Sequence, residues 1–361
     1  MKIKIENDNR KIDVSIGEIP ETSKFYDVRK APFTIYGLYD PLNESEFKRM
    51  PDSVAMTVNN GVKHHARHTS GGRVRFSTDS QYVTIYARMD HIDKMPHFPL
   101  TGSAGFDIYI DTPETGDSKF YKSFIPPFDI ETGYTCTHYF SNRKMRYITI
   151  YFPTYSGVTD LFIGLDKDAV VGKGMEYRSE YPTVYYGSSI TQGGCVSRPG
   201  NTYQAIVSRR LGIDFINLGF SGSALGEDEI IRYLAGLNMS SFVSAYDHNS
   251  DVEGLKKTHY KLYRNIRDTH PDIPYIIISR ADFDFEYHDS IARREVIYET
   301  YRRALSEEDK NVYFIDGAGI FRGRYEDSCT VDSAHFNDLG FMLTADAVEA
   351  ELRRATQSKP F

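Results

Sequence analysis

Polar and apolar residues alternate along Arg73–Val74–Arg75–Phe76 and again along Tyr82–Val83–Thr84–Ile85–Tyr86, with the turn-forming cluster Ser77–Thr78–Asp79–Ser80 between them. A period of two is that of a strand laying one face on a core. Further strand-like runs at Phe106–Ile110, Lys119–Ile125, Arg146–Phe152 and Asp160–Leu165 are separated by turn signals such as Pro113–Glu114–Thr115–Gly116. Short strands at regular spacing, with no helical period, predict an all-β sandwich or jelly roll over residues 1–175.

Beyond Glu180 the rhythm changes. Five short apolar runs, Thr183–Tyr186, Asp214–Leu218, Phe242–Tyr246, Tyr275–Ser279 and Val312–Ile315, alternate with helical stretches at Asn201–Leu211, Glu227–Leu234, Glu253–Asp268, Ser290–Leu305 and Asp338–Leu352. Tyr275–Ser279 is nearly all apolar, as expected of a strand covered on both faces. The alternation predicts an α/β domain over residues 176–361, a five-stranded parallel sheet with helices on both sides, joined to the first domain through Gly172–Lys173–Gly174. Ligands of such sheets bind beyond the carboxyl ends of the strands.

The residues at those ends carry the candidate chemistry. After the first strand stands Gly187–Ser188–Ser189–Ile190–Thr191–Gln192–Gly193–Gly194, where a serine in a tight strand-to-helix turn can hold its hydroxyl clear of the backbone. The second strand leads into Gly219–Phe220–Ser221–Gly222, whose glycines let a backbone N–H approach a ligand. The third leads into Asp247–His248–Asn249, where an amide can donate to an oxyanion without changing charge. Near the C-terminus, Asp332 precedes His335 by three residues, a spacing that lets the carboxylate orient the imidazole toward a serine. Any one segment alone reads as an ordinary loop; the four together, in one order, point to serine hydrolase chemistry.

The four segments resemble the four blocks of the SGNH, or GDSL-type, hydrolase superfamily. The resemblance implies a flavodoxin-like catalytic domain with Ser189 as nucleophile, His335 as base and Asp332 as its orienting carboxylate. It further implies an oxyanion hole of the Ser189 and Gly222 N–H groups and the Asn249 amide. Gly105–Phe106–Asp107–Ile108–Tyr109 is similar to the Gly-x-Asp-Leu-Tyr motif of a bacterial branch with an N-terminal β domain, so the likeness extends over most of the chain. Two departures stand out: Ser188 replaces the usual aspartate beside the nucleophile, and the third block reads Asp-His-Asn-Ser. The expected activity is hydrolysis of small acyl esters, acetyl first, on a carbohydrate or related polar substrate. An O-acyltransferase using the same triad and a catalytically silent carbohydrate-binding protein are the alternatives. No metal or organic cofactor is implied.

Composition adds limits. The 361 residues carry a net charge of −7 with scattered basic pairs, which argues against nucleic acid as a partner. No apolar run is long enough to span a membrane, and the segment from Met1 to Gly17 lacks the apolar stretch of a signal peptide, so a cytoplasmic location is expected. Cys136, Cys195 and Cys329 are too dispersed for a disulfide framework. The 27 Tyr and 22 Phe, with no Trp, are expected mainly in strand packing of the first half, where surface tyrosines would suit a carbohydrate binder, a lid or a homo-oligomer interface. Arg280, Asp247 and His248, with Asp282 or Asp284, are candidate substrate contacts. His64–His65 and His68 lack the glutamate of a zinc-protease motif and read as polar surface. Arg198–Pro199–Gly200 reads as punctuation opening a helix.

Overall fold

The computed structural model describes residues 3–5, 8–12, 19–281, 287–323 and 325–356. The chain divides into two compact units: Met1–Arg49, Arg67–Glu176 and Ser197–Gly200 form one, and Met50–Ala66, Tyr177–Val196 and Asn201–Phe361 the other. A single boundary near residue 175 therefore misses two segments, 50–66 and 197–200, each of which belongs with the opposite half of the sequence.

The first unit is built on two antiparallel sheets. One is ordered Gly133–Tyr139, Tyr82–Arg88, Asp160–Asp166, Ser23–Asp27. The other is ordered Val171–Lys173, Arg73–Thr78, Arg146–Tyr151, Phe106–Asp111, Ser118–Phe124, with Thr34–Tyr36 also on Arg73–Thr78. The strands on either side of the turn at Asp79 thus lie in different sheets. Their apolar faces, Val74 and Phe76 on one and Val83 and Ile85 on the other, meet in a common core with Ile108, Ile150 and Ile163. The alternate positions are not solvated. Arg73 and Arg75 are buried, and Arg75 donates to Asp111 and to Thr149, each at 3.1 Å, while Thr149 donates to Asp111 at 2.6 Å. These bonds offset part of the cost of burying Arg75 and Asp111.

Asp107, on the strand Phe106–Asp111, is completely buried. Its carboxylate accepts the Gly200 N–H at 3.0 Å and the Arg198 guanidinium at 3.2 Å. Arg198 also lies 3.8 Å over the Phe120 ring and donates to the Tyr109 hydroxyl. A side chain on Gly200 would meet the Tyr109 ring at 2.5 Å, so the turn reaches Asp107 only as glycine. Arg198–Pro199–Gly200 is thus a ligand set for Asp107 as well as the start of the turn Pro199–Asn201.

The second unit holds five parallel strands ordered Phe215–Gly219, Thr183–Gly187, Ser241–Ala245, Tyr275–Ile278, Val312–Ile315. In sequence order this is 2-1-3-4-5, which places the switch in strand order beside the first strand, immediately before Ser189. The helix Val252–Thr269 starts at Asp251, whose side chain accepts the Gly254 N–H at 2.6 Å, and buries Leu255, Leu262, Tyr263 and Ile266 along one stripe. The short helices Asp52–Val58 and Asn60–His65 bury Ala55 and Val62 in this unit's core, although their sequence lies in the expected β half. The aromatic load is likewise shared: Tyr185, Tyr186, Tyr203, Tyr246, Tyr263 and Tyr275 are fully buried here. Burial pushes the hydroxyls of Tyr185, Tyr246 and Tyr275 well above the ordinary range, so they stay neutral. No helix among the described residues is long and apolar enough to cross a membrane.

Candidate active site

Ser189 opens a one-turn helix, Ser189–Gln192, directly after the first strand of the parallel sheet. Ser188 is the cap: its hydroxyl accepts the Ile190 N–H at 3.3 Å, so the residue that departs from the family's aspartate still serves this backbone group. Gly193, at φ 102°, ends the helix in the left-handed conformation, and the Gly193 and Gly194 N–H groups return to the Ser189 carbonyl at 3.0 and 2.8 Å. These bonds fix the backbone on both sides of the serine.

The Ser189 hydroxyl lies 3.0 Å from His335 Nε2. On the other side of the ring, Nδ1 lies 2.8 Å from Asp332 Oδ2. Asp332 Oδ1 accepts the backbone N–H groups of His335 and Ala334 at 2.7 and 3.1 Å. Burial alone would raise the Asp332 pKa, but the His335 backbone and ring bonds and the Ala334 bond outweigh it and hold the carboxyl below its ordinary value. An ionised Asp332 keeps the proton on Nδ1 and leaves Nε2 to accept from the serine. The loop is tight: Val331 N–H donates to the His335 carbonyl at 2.9 Å, and Ser333 adopts φ 72°. Phe336, packed between Phe321 and Phe341, anchors it to the core, while the His335 side chain keeps 29% of its surface open.

Gly222 has φ 63°, a conformation that favours glycine, and the position of its missing Cβ faces open space. The loop around it is held from three directions. Phe220 N–H donates to the Gly187 carbonyl at 2.8 Å, Ser221 N–H to the Gln192 side chain at 3.0 Å, and Asn249 Nδ2 donates to the Phe220 carbonyl at 3.3 Å. Asn59, from the helices of the N-terminal half, donates to the Ser223 carbonyl at 3.0 Å. Asn249 is therefore tied to the glycine loop, and the loop to the helix that begins with Ser189. Arg293 clamps the segment that carries Asn249, donating to the Asp247 carbonyl at 2.6 Å and to the Ser250 carbonyl. Sequence reasoning missed Gln192, Asn59 and Arg293 as parts of the site.

The expected substrate contacts fare differently. Asp247 is buried and accepts the Arg280 N–H at 2.9 Å. The Arg280 guanidinium is also buried and faces Asp289 at 3.6 Å. Both are enclosed and have internal partners. His248 sits 3.5 Å from the Asp247 carboxylate, with 15% of its side chain exposed. Asp282 and Asp284 lie outside the described residues. A hollow of about 20 Å³ lined by Ser188, Tyr203, Asp247, His248 and Ser279 admits no more than a water and is not the ester site. Burial, with the Asp332 charge adding, pushes the Cys195 thiol up to about 12, which keeps it protonated and inert.

Comparison with known proteins gives the family. The model of the GDSL-like lipase/acylhydrolase family matches residues 180–353, and the GxDLY model, the N-terminus of SGNH-hydrolase-type esterases, matches residues 23–171. No curated protein matches the chain. Among solved structures, a GDSL-like lipase from Bacteroides ovatus is similar at 25% identity and TM-score 0.83, over 93% of this chain and 98% of its own. A salicylyl-acyltransferase from a tetracycline biosynthetic pathway shares the fold at 17% identity and TM-score 0.74, over 94% and 99%. A family two carbohydrate esterase from Cellvibrio japonicus shares it at 12% identity and TM-score 0.60, over 92% and 98%. The chain belongs to the SGNH-type esterases, as a GDSL-like acylhydrolase domain behind a GxDLY N-terminal β domain, and is an ester-hydrolysing enzyme.

Proposed function

We propose that the chain is a serine esterase that removes small acyl groups, acetyl foremost, from a carbohydrate or similar polar alcohol. The observation that carries this reading is the continuous hydrogen-bonded line from Ser189 Oγ to His335 Nε2 at 3.0 Å and from His335 Nδ1 to Asp332 at 2.8 Å. Ser189 Oγ attacks the ester carbonyl as His335 takes its proton, and the alcohol leaves with that proton. Water then attacks the acyl-serine, His335 again accepts a proton, and the acid departs as Ser189 is restored. The Ser189 and Gly222 N–H groups and the second Asn249 amide hydrogen are the candidates to meet the oxyanion. Asp332 keeps His335 oriented and stabilises its charged form. The carbohydrate half of the reading is supported by the carbohydrate esterases that share this fold.

Transfer of the acyl group to an alcohol instead of water is the second reading, favoured by the likeness to the salicylyl-acyltransferase. The test is release of acetate from p-nitrophenyl acetate and from a panel of acetylated sugars, beside Ser189→Ala and with fluorophosphonate labelling. A fall of about 10⁴-fold or more in kcat/KM and loss of labelling in Ser189→Ala are expected. Activity that survives Ser189→Ala overturns the assignment, and a product ratio that follows an added alcohol favours transfer.

A further inference from the structure

The β-sandwich unit gathers a second set of ionisable side chains that the ester chemistry does not use. His68 is completely buried, while the side chains of His91 and Asp93 keep 31% and 26% of their surface open. Segment 155–157 holds them from the backbone. The two-residue strand His91–Ile92 pairs with Ser156–Gly157, Asp93 N–H donates to the Tyr155 carbonyl at 3.2 Å, and Thr69 N–H donates to the Ser156 carbonyl at 3.1 Å. The imidazoles of His68 and His91 stack with centroids 5.2 Å apart and planes within 14°. Their Nε2 atoms face the same carboxylate, His91 at 3.1 Å and His68 at 3.6 Å. One nitrogen or oxygen from each of the three residues lies within 4.8 Å of those of the others.

We propose that His68, His91 and Asp93 form a binding site for a divalent transition-metal ion of the zinc class. Three considerations carry this. Two imidazoles and a carboxylate are the donor set such ions take. Metal–ligand bonds of about 2.0–2.1 Å set the ligands of a tetrahedral centre about 3.3 Å apart. His91 Nε2 lies 3.1 Å from Asp93 Oδ1 and His68 Nε2 3.6 Å from Asp93 Oδ2, separations close to that edge, the second longer than a hydrogen bond. Finally, the two rings stack with centroids 5.2 Å apart, which brings both Nε2 atoms to the one carboxylate. The partly open sides of His91 and Asp93 give the ion an entry, and the buried ring of His68 fixes one ligand in advance. The role that follows is structural: the ion ties the turn at His68 to the strand at His91.

The experiment uses the full chain, freed of metal by a chelator and then titrated with zinc sulfate by calorimetry. One strong site per chain is expected, with a rise in melting temperature on loading. His91→Ala and Asp93→Asn each weaken that site by about 100-fold or more, while Ser189→Ala leaves it intact. Melting in chelator, the same for the variants as for the parent, establishes that they fold. X-ray absorption of the zinc-loaded parent provides a readout independent of the variants, with two imidazoles in the first shell expected. Absence of stoichiometric binding, parental affinity in both variants, or fewer than two imidazoles in the spectrum overturns the proposal.

Discussion

Asp332 and Asp107 each face a basic side chain, yet they are set up for opposite tasks. Asp332 stands in a half-open loop with 35% of its side chain exposed, and one of its partners is an imidazole that can gain and lose a proton. Asp107 is completely buried in the sandwich unit, and its partners are a guanidinium and a backbone N–H. The difference teaches that exposure and partner chemistry, more than the carboxylate itself, decide whether such a pair responds to a reaction or pins a chain segment.

The contrast can be broken by substitution. Asp332→Asn leaves the imidazole without an anion to hold its tautomer, and kcat on p-nitrophenyl acetate is expected to drop by about 10⁴-fold with the melting temperature little changed. A drop of less than tenfold would remove Asp332 from the mechanism. Asp107→Ala has the reverse profile: the half-buried Arg198 guanidinium and the buried Gly200 N–H lose their partner, and denaturant titration is expected to record a loss of about 1–3 kcal/mol. An unchanged midpoint would mean that Arg198 finds another partner. Asn249→Ala is expected to lower kcat by about 10²–10³-fold, read in the same ester assay. Arg293→Ala acts at one remove, through the segment that carries Asn249, and is expected to lower kcat about tenfold with KM nearly constant, partly restored in Arg293→Lys. A change confined to KM would rule out that route.

The smallest effect concerns pH. Asp332 is held below the carboxylate value of the unfolded chain, about 3.9, so its ionised form favours the folded state. That contribution is complete above the unfolded value and fades as pH falls through the lower folded one. The melting difference between the parent and Asp332→Asn should therefore shrink between pH 5 and pH 3, both about a unit from that value. A difference that widens on acidification would contradict the direction of the shift.

The sequence made the α/β unit far more legible than the sandwich. Its strands are short apolar runs between helices, and each of Ser189, Gly222, Asn249 and Asp332–His335 sits in a local segment whose meaning survives without three-dimensional context. The strands of the first unit were also visible, from Arg73–Thr78 to Asp160–Asp166, but Gly133–Tyr139 was not, because Thr135, Thr137 and His138 blur its alternation. The helices Asp52–Val58 and Asn60–His65 escaped because each is too short to display a stripe. Gln192, Arg293 and Asn59 act through carbonyls and N–H groups far along the chain, which no local pattern announces. His68 was misread for a related reason: a polar residue in a turn reads as surface, and only the fold reveals that it is enclosed.

The interleaving of the two units has a consequence for inheritance. Residues 50–66 complete the core of the catalytic unit, and residues 197–200 supply the ligands of Asp107 in the sandwich. A gene fusion or recombination event with its seam near residue 175 would part Asp107 from Arg198 and Asn59 from the loop it braces. The halves can be exchanged with a relative only if the short segments travel as well, so this architecture is expected to descend as a single block, its two matching sets of residues changing together.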